Sequence, residues 1–179
     1  MILDTFDSPL GPITLYSDGT ALTAVVFPGQ KFEGNHIPTD AAFGKCPVLE
    51  ETKIWLSRYF DGEIPDSLPP MLPKGTPFQQ RVWKKLLEIP YGQTVTYREL
   101  AKALGCKSAQ AVGGAVGRNP IAILVPCHRI VASSGALTGF AAGMEANCAM
   151  TFYGQEKVEY NAKLCLMNMA VHGLTGVIK

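Results

Sequence analysis

The chain has 179 residues, of which 47% are hydrophobic and 17% charged, and its formal net charge is +1. This composition excludes a disordered chain and is typical of a globular protein long enough to bury a core. No apolar run approaches the ~18 residues of a membrane span, and the first residues lack the basic and apolar regions of a signal peptide. We therefore expect an intracellular protein without a membrane partner, cytoplasmic or, in a eukaryotic source, nuclear.

The first third of the chain reads as strands followed by a helix. Apolar and β-branched residues predict strands over 2–6, 13–17 and 22–28, separated by turn residues. Apolar residues at helical spacing predict a helix over 46–59. The sequence thus predicts an N-terminal α/β domain over residues 1–61, with an antiparallel sheet plus a helix. Four prolines in the next stretch predict an extended linker over residues 62–76.

The remaining residues, 77–179, are predicted to form a mostly α C-terminal domain. Thr76 can cap a helix that runs to about residue 88. Thr96 can cap a short helix over 97–104, and Ser108 a second one over 109–117. The two short helices are separated by a tight turn that begins at Gly105. They form a helix-turn-helix pattern, which occurs in DNA-binding proteins and in many others.

The second of these helices contains Gly113 and Gly114, each of which costs about 1 kcal/mol relative to alanine in a helix. Sequences accept that cost where a backbone or a ligand approaches closely. Close helix packing is one interpretation, and a helix that lies flat against nucleic acid is the other. The distribution of charge bears on whether this helix meets nucleic acid. Residues 1–73 hold four Lys or Arg and ten Asp or Glu, whereas residues 74–129 hold nine Lys or Arg and two Asp or Glu. The basic segment suits a polyanion or a solvated helical face.

Cys127 and His128 lie next to each other in an apolar run over residues 119–131. A thiol beside an imidazole in a rigid, semi-buried setting is typical of a cysteine nucleophile, although such pairs also occur as core filler. The chain has five cysteines without a CxxC pair, so neither a disulfide framework nor a metal site is predicted. The other four are expected to be inert free thiols: Cys46, Cys106, Cys148 and Cys165.

The motifs together show a resemblance to the O6-alkylguanine-DNA alkyltransferase family. Its hallmark, Pro-Cys-His-Arg followed by two β-branched residues, matches residues 126–131. Further matches are Gly-x-x-x-x-Tyr-x-x-Leu-Ala at 92–101, Ala-Val-Gly-Gly-Ala at 111–115, Asn-Pro at 119–120 and Ser-Gly-Ala-Leu-Thr-Gly-Phe at 134–140. The resemblance covers residues 4–145. It implies an α/β domain followed by a helical domain whose helix-turn-helix enters the minor groove of double-stranded DNA.

The resemblance also implies the reaction. An alkylated guanine is flipped out of the stack, and its O6-alkyl group passes once and irreversibly to Cys127. O4-alkylthymine is a second candidate substrate. No cofactor is needed because the lesion is the alkyl donor, and no obligate protein partner is expected. The alternatives are a non-catalytic lesion-binding protein that recruits repair factors, which the presence of Cys127 disfavours, and a cysteine hydrolase, for which no oxyanion pattern is present.

By the same resemblance, His128 is the base that activates Cys127 through a bridging water, and Asn119 braces the turn that presents the thiol. Tyr97 donates a hydrogen bond to the flipped base. The carbonyl of Val125 accepts from the guanine amine, and the backbone amide of Ala141 meets O6. The residues expected to lie against DNA are Gln110, Ala111, Gly113, Gly114 and Arg118, together with Lys102 and Lys107.

Two departures from the family pattern concern Gln110 and the tail. Gln110 stands where many members place an arginine that fills the gap left by the flipped base. In the family a glutamate also holds the histidine. An ungapped alignment puts Gly154 there, with Glu156 two residues later. If residues 147–161 are instead an insertion, Ala170 takes the position of the glutamate. This alignment matches the family better than the ungapped one, and it leaves the histidine without a carboxylate.

Overall fold

The N-terminal part of the chain forms a small mixed sheet. A computed structural model describes residues 1–9, 11–27, 40–63, 65 and 67–133. Strands β1 (Ile2–Ser8), β2 (Gly11–Ser17) and β3 (Leu22–Val26) pair antiparallel, which confirms the three predicted strands. The short strand β4 (Ala42–Phe43) pairs parallel to β1 and was not predicted, so the order is β3-β2-β1-β4 and the sheet is mixed rather than wholly antiparallel.

Helix α1 (Pro47–Phe60) follows the sheet and confirms the predicted helix within a residue at each end. Pro47 occupies its first turn, where a missing N–H costs no intrahelical bond. Its buried face carries Leu49, Leu56 and Tyr59, which join one hydrophobic core with Ile13 and Leu15 of β2. This packing places Tyr59 near the end of α1 and inside the core, toward the C-terminal part of the chain.

The edge of the sheet at β3 is covered by segments from later in the chain. Leu22 accepts a backbone hydrogen bond from Leu72 and donates one to Pro70, both at 2.8 Å. Val25 donates to the carbonyl of Pro120 at 2.9 Å and accepts from Ala122 at 3.1 Å. An edge strand presents unpaired backbone groups that must find partners, and here residues 70–72 and 120–122 provide them. The division into domains with a linker over 62–76 stays a prediction.

The C-terminal part begins with α2 (Pro77–Leu86) and continues with α3 (Tyr97–Ala103) and α4 (Ala109–Val116). The side chains of Thr76, Thr96 and Ser108 accept hydrogen bonds from the backbone of the first turns, which confirms all three predicted caps. Thr76 and Thr96 form full capping boxes with Gln79 and Glu99. These local signals explain why the helix starts could be read from the sequence.

Helices α3 and α4 form the expected helix-turn-helix. Gly105 has a φ of 64° in the turn between them, a left-handed conformation that glycine adopts without strain. Two short strands fix this unit to the rest: β5 (Val95–Thr96) runs into α3 and pairs parallel with β6 (Ile130–Val131). Two-residue strands have no readable periodicity, and neither was predicted. Their pairing brings the start of α3 beside the segment that follows Cys127.

One continuous hydrophobic cluster runs from the sheet through α1 into the helical part. Trp83 belongs to this cluster and is 1% exposed, and its indole Nε1 donates to the carbonyl of Ala115 at 2.9 Å. This bond ties α2 to α4. Within the described residues, none of the helices combines the length and apolar character needed to cross a membrane.

Replacing Trp83 with phenylalanine is expected to lower the free energy of unfolding more than Trp55→Phe does. Both changes shrink the ring equally. Trp83→Phe also removes the bond to Ala115, which contributes about 1 kcal/mol, whereas the buried indole N–H of Trp55 has no hydrogen-bond partner among the described residues. Urea unfolding of both variants checks the difference, and an equal or larger loss for Trp55→Phe would contradict it.

Candidate functional site: a buried thiol behind a helix-turn-helix

Asn119, buried at 1% exposure, organises the turn that leads from α4 to Cys127. Its side-chain Nδ2 donates to the carbonyls of Ile121 at 3.2 Å and Val125 at 2.9 Å, and it lies 3.2 Å from Sγ of Cys127. Its Oδ1 accepts from the backbone amide of Ile121 at 3.0 Å. One amide therefore connects both ends of the turn to the thiol, in line with the bracing role expected for Asn119.

The turn is tight enough to force an unusual backbone conformation. Ile123 has a φ of 70°, in the left-handed region that a β-branched residue rarely occupies. Such a conformation costs on the order of 1–3 kcal/mol and persists where the surrounding contacts fix it. Ile123 is 3% exposed, so its buried side chain and the bonds of Asn119 hold it in place. The strain lies four residues before the thiol that the turn presents.

The carbonyl of Val125 already accepts two hydrogen bonds. One comes from Asn119 Nδ2 at 2.9 Å and the other from the backbone amide of Cys127 at 2.8 Å. A carbonyl oxygen has two lone pairs, so a contact with a guanine amine would have to share or displace one of these donors. The role expected for Val125 stays a prediction, and the observed bonds give this carbonyl a structural role within the turn.

Cys127 is 2% exposed and opens a short 3₁₀ turn over Cys127–Arg129. Burial raises the pKa of its thiol to about 11, against smaller lowering effects from the Asn119 amide and the backbone amides of Cys127 and His128. At neutral pH the thiol is therefore protonated, and a base is needed to make it a nucleophile. The arrangement favours a thiol that is protected until a substrate and a proton acceptor are both in place.

His128 is 1% exposed, and its Nε2 lies 3.2 Å from the hydroxyl of Tyr59 on α1. Tyr59 was not expected near the thiol, because helical spacing marks it only as part of the buried face of α1. Arg129 supports the same region: its Nη1 donates to the carbonyl of Ile89 at 2.7 Å, and its guanidinium lies 5.5 Å from the ring centre of Tyr91.

Tyr97 begins α3 and is half-buried against α4. Burial raises the pKa of its hydroxyl to about 12, with a smaller contribution from the thiolate charge of Cys127. Tyr97 is thus a neutral phenol at neutral pH. A Cβ added at Gly113 would meet the Tyr97 ring at 3.6 Å, an ordinary contact. Packing against Tyr97 does not require glycine at this position.

The exposed side of α4 carries the residues expected to lie against DNA. Gln110, Ala111 and Arg118 are exposed, and Gly113 and Gly114 are half-buried. A Cβ added at Gly114 would meet Nη1 of Arg118 at 3.2 Å, and this nitrogen donates a hydrogen bond to the carbonyl of Gly114 at 3.0 Å. A groove of about 530 Å³ runs between α4 and the start of α2, lined by Thr76, Phe78, Gln79, Ser108, Gln110, Ala111, Gly114, Ala115 and Arg118. Lys102 on α3 and Lys107 in the turn between α3 and α4 are also exposed.

Several expected site features lie outside the described residues. They are Ala141, the alternative relay positions Glu156 and Ala170, and the stretch 147–161. Within the described part of the chain, no group of three or more His, Cys, Asp or Glu side chains is arranged to hold a metal ion.

A helix-turn-helix with a small-residue helix, together with a buried thiol and an adjacent histidine, suits a DNA-binding protein with a reactive cysteine. Two family models match the chain and cover most of it. The 6-O-methylguanine DNA methyltransferase ribonuclease-like domain matches residues 1–68, and the DNA-binding domain of the same family matches residues 77–153. The chain belongs to the 6-O-methylguanine DNA methyltransferase family. Its activity is that of a methylated-DNA–protein-cysteine methyltransferase, which repairs O6-methylguanine in DNA.

Individual relatives agree with this assignment. The chain is 42% identical over 143 residues to a methylated-DNA–protein-cysteine methyltransferase of Haemophilus influenzae, with 79% of each chain covered. It is 39% identical over 168 residues to the one of Mycobacterium leprae, covering 92% of this chain and 97% of the relative. A crystal structure of Mycobacterium tuberculosis OGT in complex with DNA superposes with a TM-score of 0.74 at 37% identity, covering 95% and 94% of the two chains.

The raised pKa of Cys127 predicts a late ionisation that can be measured without DNA. The difference in ultraviolet thiolate absorbance between the wild-type protein and Cys127→Ser should stay flat to about pH 9 and rise toward the pKa of about 11. Asn119→Ala removes an amide that lowers this pKa, so its transition should lie at higher pH. A transition below about pH 8, or one unchanged by Asn119→Ala, would contradict the described geometry.

Proposed function

We propose that Cys127 is the acceptor, and that the chain transfers the alkyl group of O6-alkylguanine in double-stranded DNA to it in a single turnover. The observation that supports this most directly is the position of the thiol. Sγ of Cys127 is buried and accepts a hydrogen bond from Nδ2 of Asn119 at 3.2 Å, and the next residue is a buried histidine. The strained turn and the amide network hold one sulfur in one place, which is what a displacement at a single carbon requires.

The proposed step balances without a further reactant. The thiolate of Cys127 forms a bond to the alkyl carbon while the carbon–oxygen bond at guanine O6 breaks, and the electron pair stays on guanine. The proton released by the thiol passes through His128 and a water, and one proton returns to guanine. Because a thioether is not readily reversed, the protein acts once. The neutral phenol of Tyr97 is suited to donate a hydrogen bond to the flipped base.

The DNA-facing side of the proposal rests on α4 and its surroundings. Gln110 is placed to fill the gap left by the flipped base, and Ala111, Gly113 and Gly114 let the helix lie close to the groove. Exposed Lys102, Lys107 and Arg118 would meet phosphates. O4-alkylthymine is a second candidate substrate. Under this proposal the protein acts in the compartment that holds DNA, and it requires neither a cofactor nor an obligate protein partner.

Cys127→Ser is expected to abolish transfer and to retain binding to a duplex that contains O6-methylguanine. Serine keeps the size of the side chain and removes the nucleophile. Intact-mass and peptide mass measurements after incubation should show one added methylene unit on the Cys127 peptide of the wild-type protein only. Cys46→Ser, which changes a thiol at the start of α1, should transfer normally. Label on a different cysteine would exclude Cys127 as the acceptor.

DNA binding should weaken with added salt, and Lys107→Gln should reduce that dependence. The slope of log K against log salt is negative, and each lost phosphate contact reduces its magnitude by about 0.9. Fluorescence anisotropy across a salt series measures the slope. Lys45→Gln removes a lysine that is also exposed but lies beside the N-terminal sheet; it is the control and should leave the slope unchanged. Equal slopes for the wild-type protein and Lys107→Gln would remove Lys107 from the interface.

A further inference from the structure

The buried imidazole of His128 contacts a residue from the other half of the chain. Its Nε2 lies 3.2 Å from the hydroxyl of Tyr59, 69 residues earlier in sequence. Both side chains are buried, His128 at 1% and Tyr59 at 5% exposure. Helix α1 of the N-terminal part therefore provides a polar partner to the residue that follows the acceptor cysteine.

The hydroxyl of Tyr59 is itself fixed by packing. Its ring stacks on Trp55, with centroids 5.2 Å apart and planes at 12°. The rings of Phe60 and Tyr91 meet it edge-on, with centroids 5.7 and 6.3 Å away and planes at 82°. Tyr91 in turn lies under the guanidinium of Arg129, which is anchored to the carbonyl of Ile89. These contacts leave the Tyr59 ring little freedom, so the position of its hydroxyl is set before any substrate arrives.

We propose that Tyr59 is a positioning residue that holds Nε2 of His128 and thereby assigns proton exchange with Cys127 to Nδ1. This rests on the proposed role of His128 as the base. A hydrogen bond at one ring nitrogen fixes which tautomer is present and how the ring is oriented. Nδ1 can take up the thiol proton only in the tautomer that carries its hydrogen on Nε2. In that tautomer Nε2–H donates to the oxygen of Tyr59, and it still donates to it after Nδ1 is protonated.

Tyr59 orients the imidazole without adding a negative charge. Burial raises the pKa of Tyr59 to about 12, against a smaller lowering by the positive charge of Arg129; Tyr91 and Cys127 add small contributions that raise it. The imidazole of His128 is a further titratable group in direct contact with the hydroxyl. A neutral phenol gives an imidazolium less electrostatic support than a carboxylate would. Its contribution to the reaction is therefore orientation and choice of tautomer.

Three variants test this role against a purely structural one. Tyr59→Phe keeps the stacked ring and removes the hydroxyl. Tyr91→Phe makes the same chemical change on the neighbouring ring, and His128→Gln removes the base. Single-turnover transfer to an O6-methylguanine duplex should slow about tenfold in Tyr59→Phe, the equivalent of one hydrogen bond. It should be unchanged in Tyr91→Phe, and lesion-DNA binding should be equal in both.

A second measurement does not depend on activity. NMR of isotope-labelled histidine, with the His128 signals assigned by their loss in His128→Gln, should show one ring tautomer in the wild-type protein and in Tyr91→Phe, and a mixture in Tyr59→Phe. A wild-type transfer rate or an unchanged tautomer in Tyr59→Phe would overturn the assignment, as would equal slowing in Tyr91→Phe. A wild-type rate in His128→Gln would instead overturn the role of His128 as the base, and the assignment with it.

Discussion

The side-chain amide of Asn119 is the interaction on which the site depends. Nδ2 contacts the carbonyls of Ile121 and Val125 and the sulfur of Cys127, and Oδ1 accepts from the amide of Ile121. Without these bonds, two buried carbonyls and an amide would lose a partner in a low-dielectric interior, which is costly. The same bonds stabilise the left-handed conformation of Ile123 and lower the pKa of a thiol that burial raises.

The turn is also fixed from outside at both ends. Val25 of β3 pairs with the backbone on both sides of Ile121, and β6, directly after the 3₁₀ turn of Cys127, pairs with β5 at the start of α3. The sheet therefore contacts the beginning of the turn and the helix-turn-helix contacts its end. The thiol lies between the sheet and the helix-turn-helix. Under the proposed function, a base that approaches from the helix-turn-helix meets a sulfur whose position is already fixed.

The helices and the identity of the site could be predicted from local sequence signals. The contacts between residues far apart in the sequence could not. The helix starts at Thr76, Thr96 and Ser108 are predictable because the side chain of a capping residue accepts a hydrogen bond from the backbone amide three residues later. The identity of the site came from the motif around Cys127. The contact between Tyr59 and His128 has no signal in either stretch of sequence, since it follows from how α1 packs. The two hydrogen bonds on the carbonyl of Val125 likewise depend on the fold of the turn.

The most direct test of the central role of Asn119 is the ratio of alkyl transfer to DNA binding in Asn119→Ala. Single-turnover transfer to an O6-methylguanine duplex and equilibrium affinity for the same duplex, the latter in a Cys127→Ser background, would be measured side by side. If the amide positions and activates the thiol, transfer falls about tenfold or more while the affinity changes little. Unchanged transfer, or a parallel loss of transfer and affinity, would contradict this account.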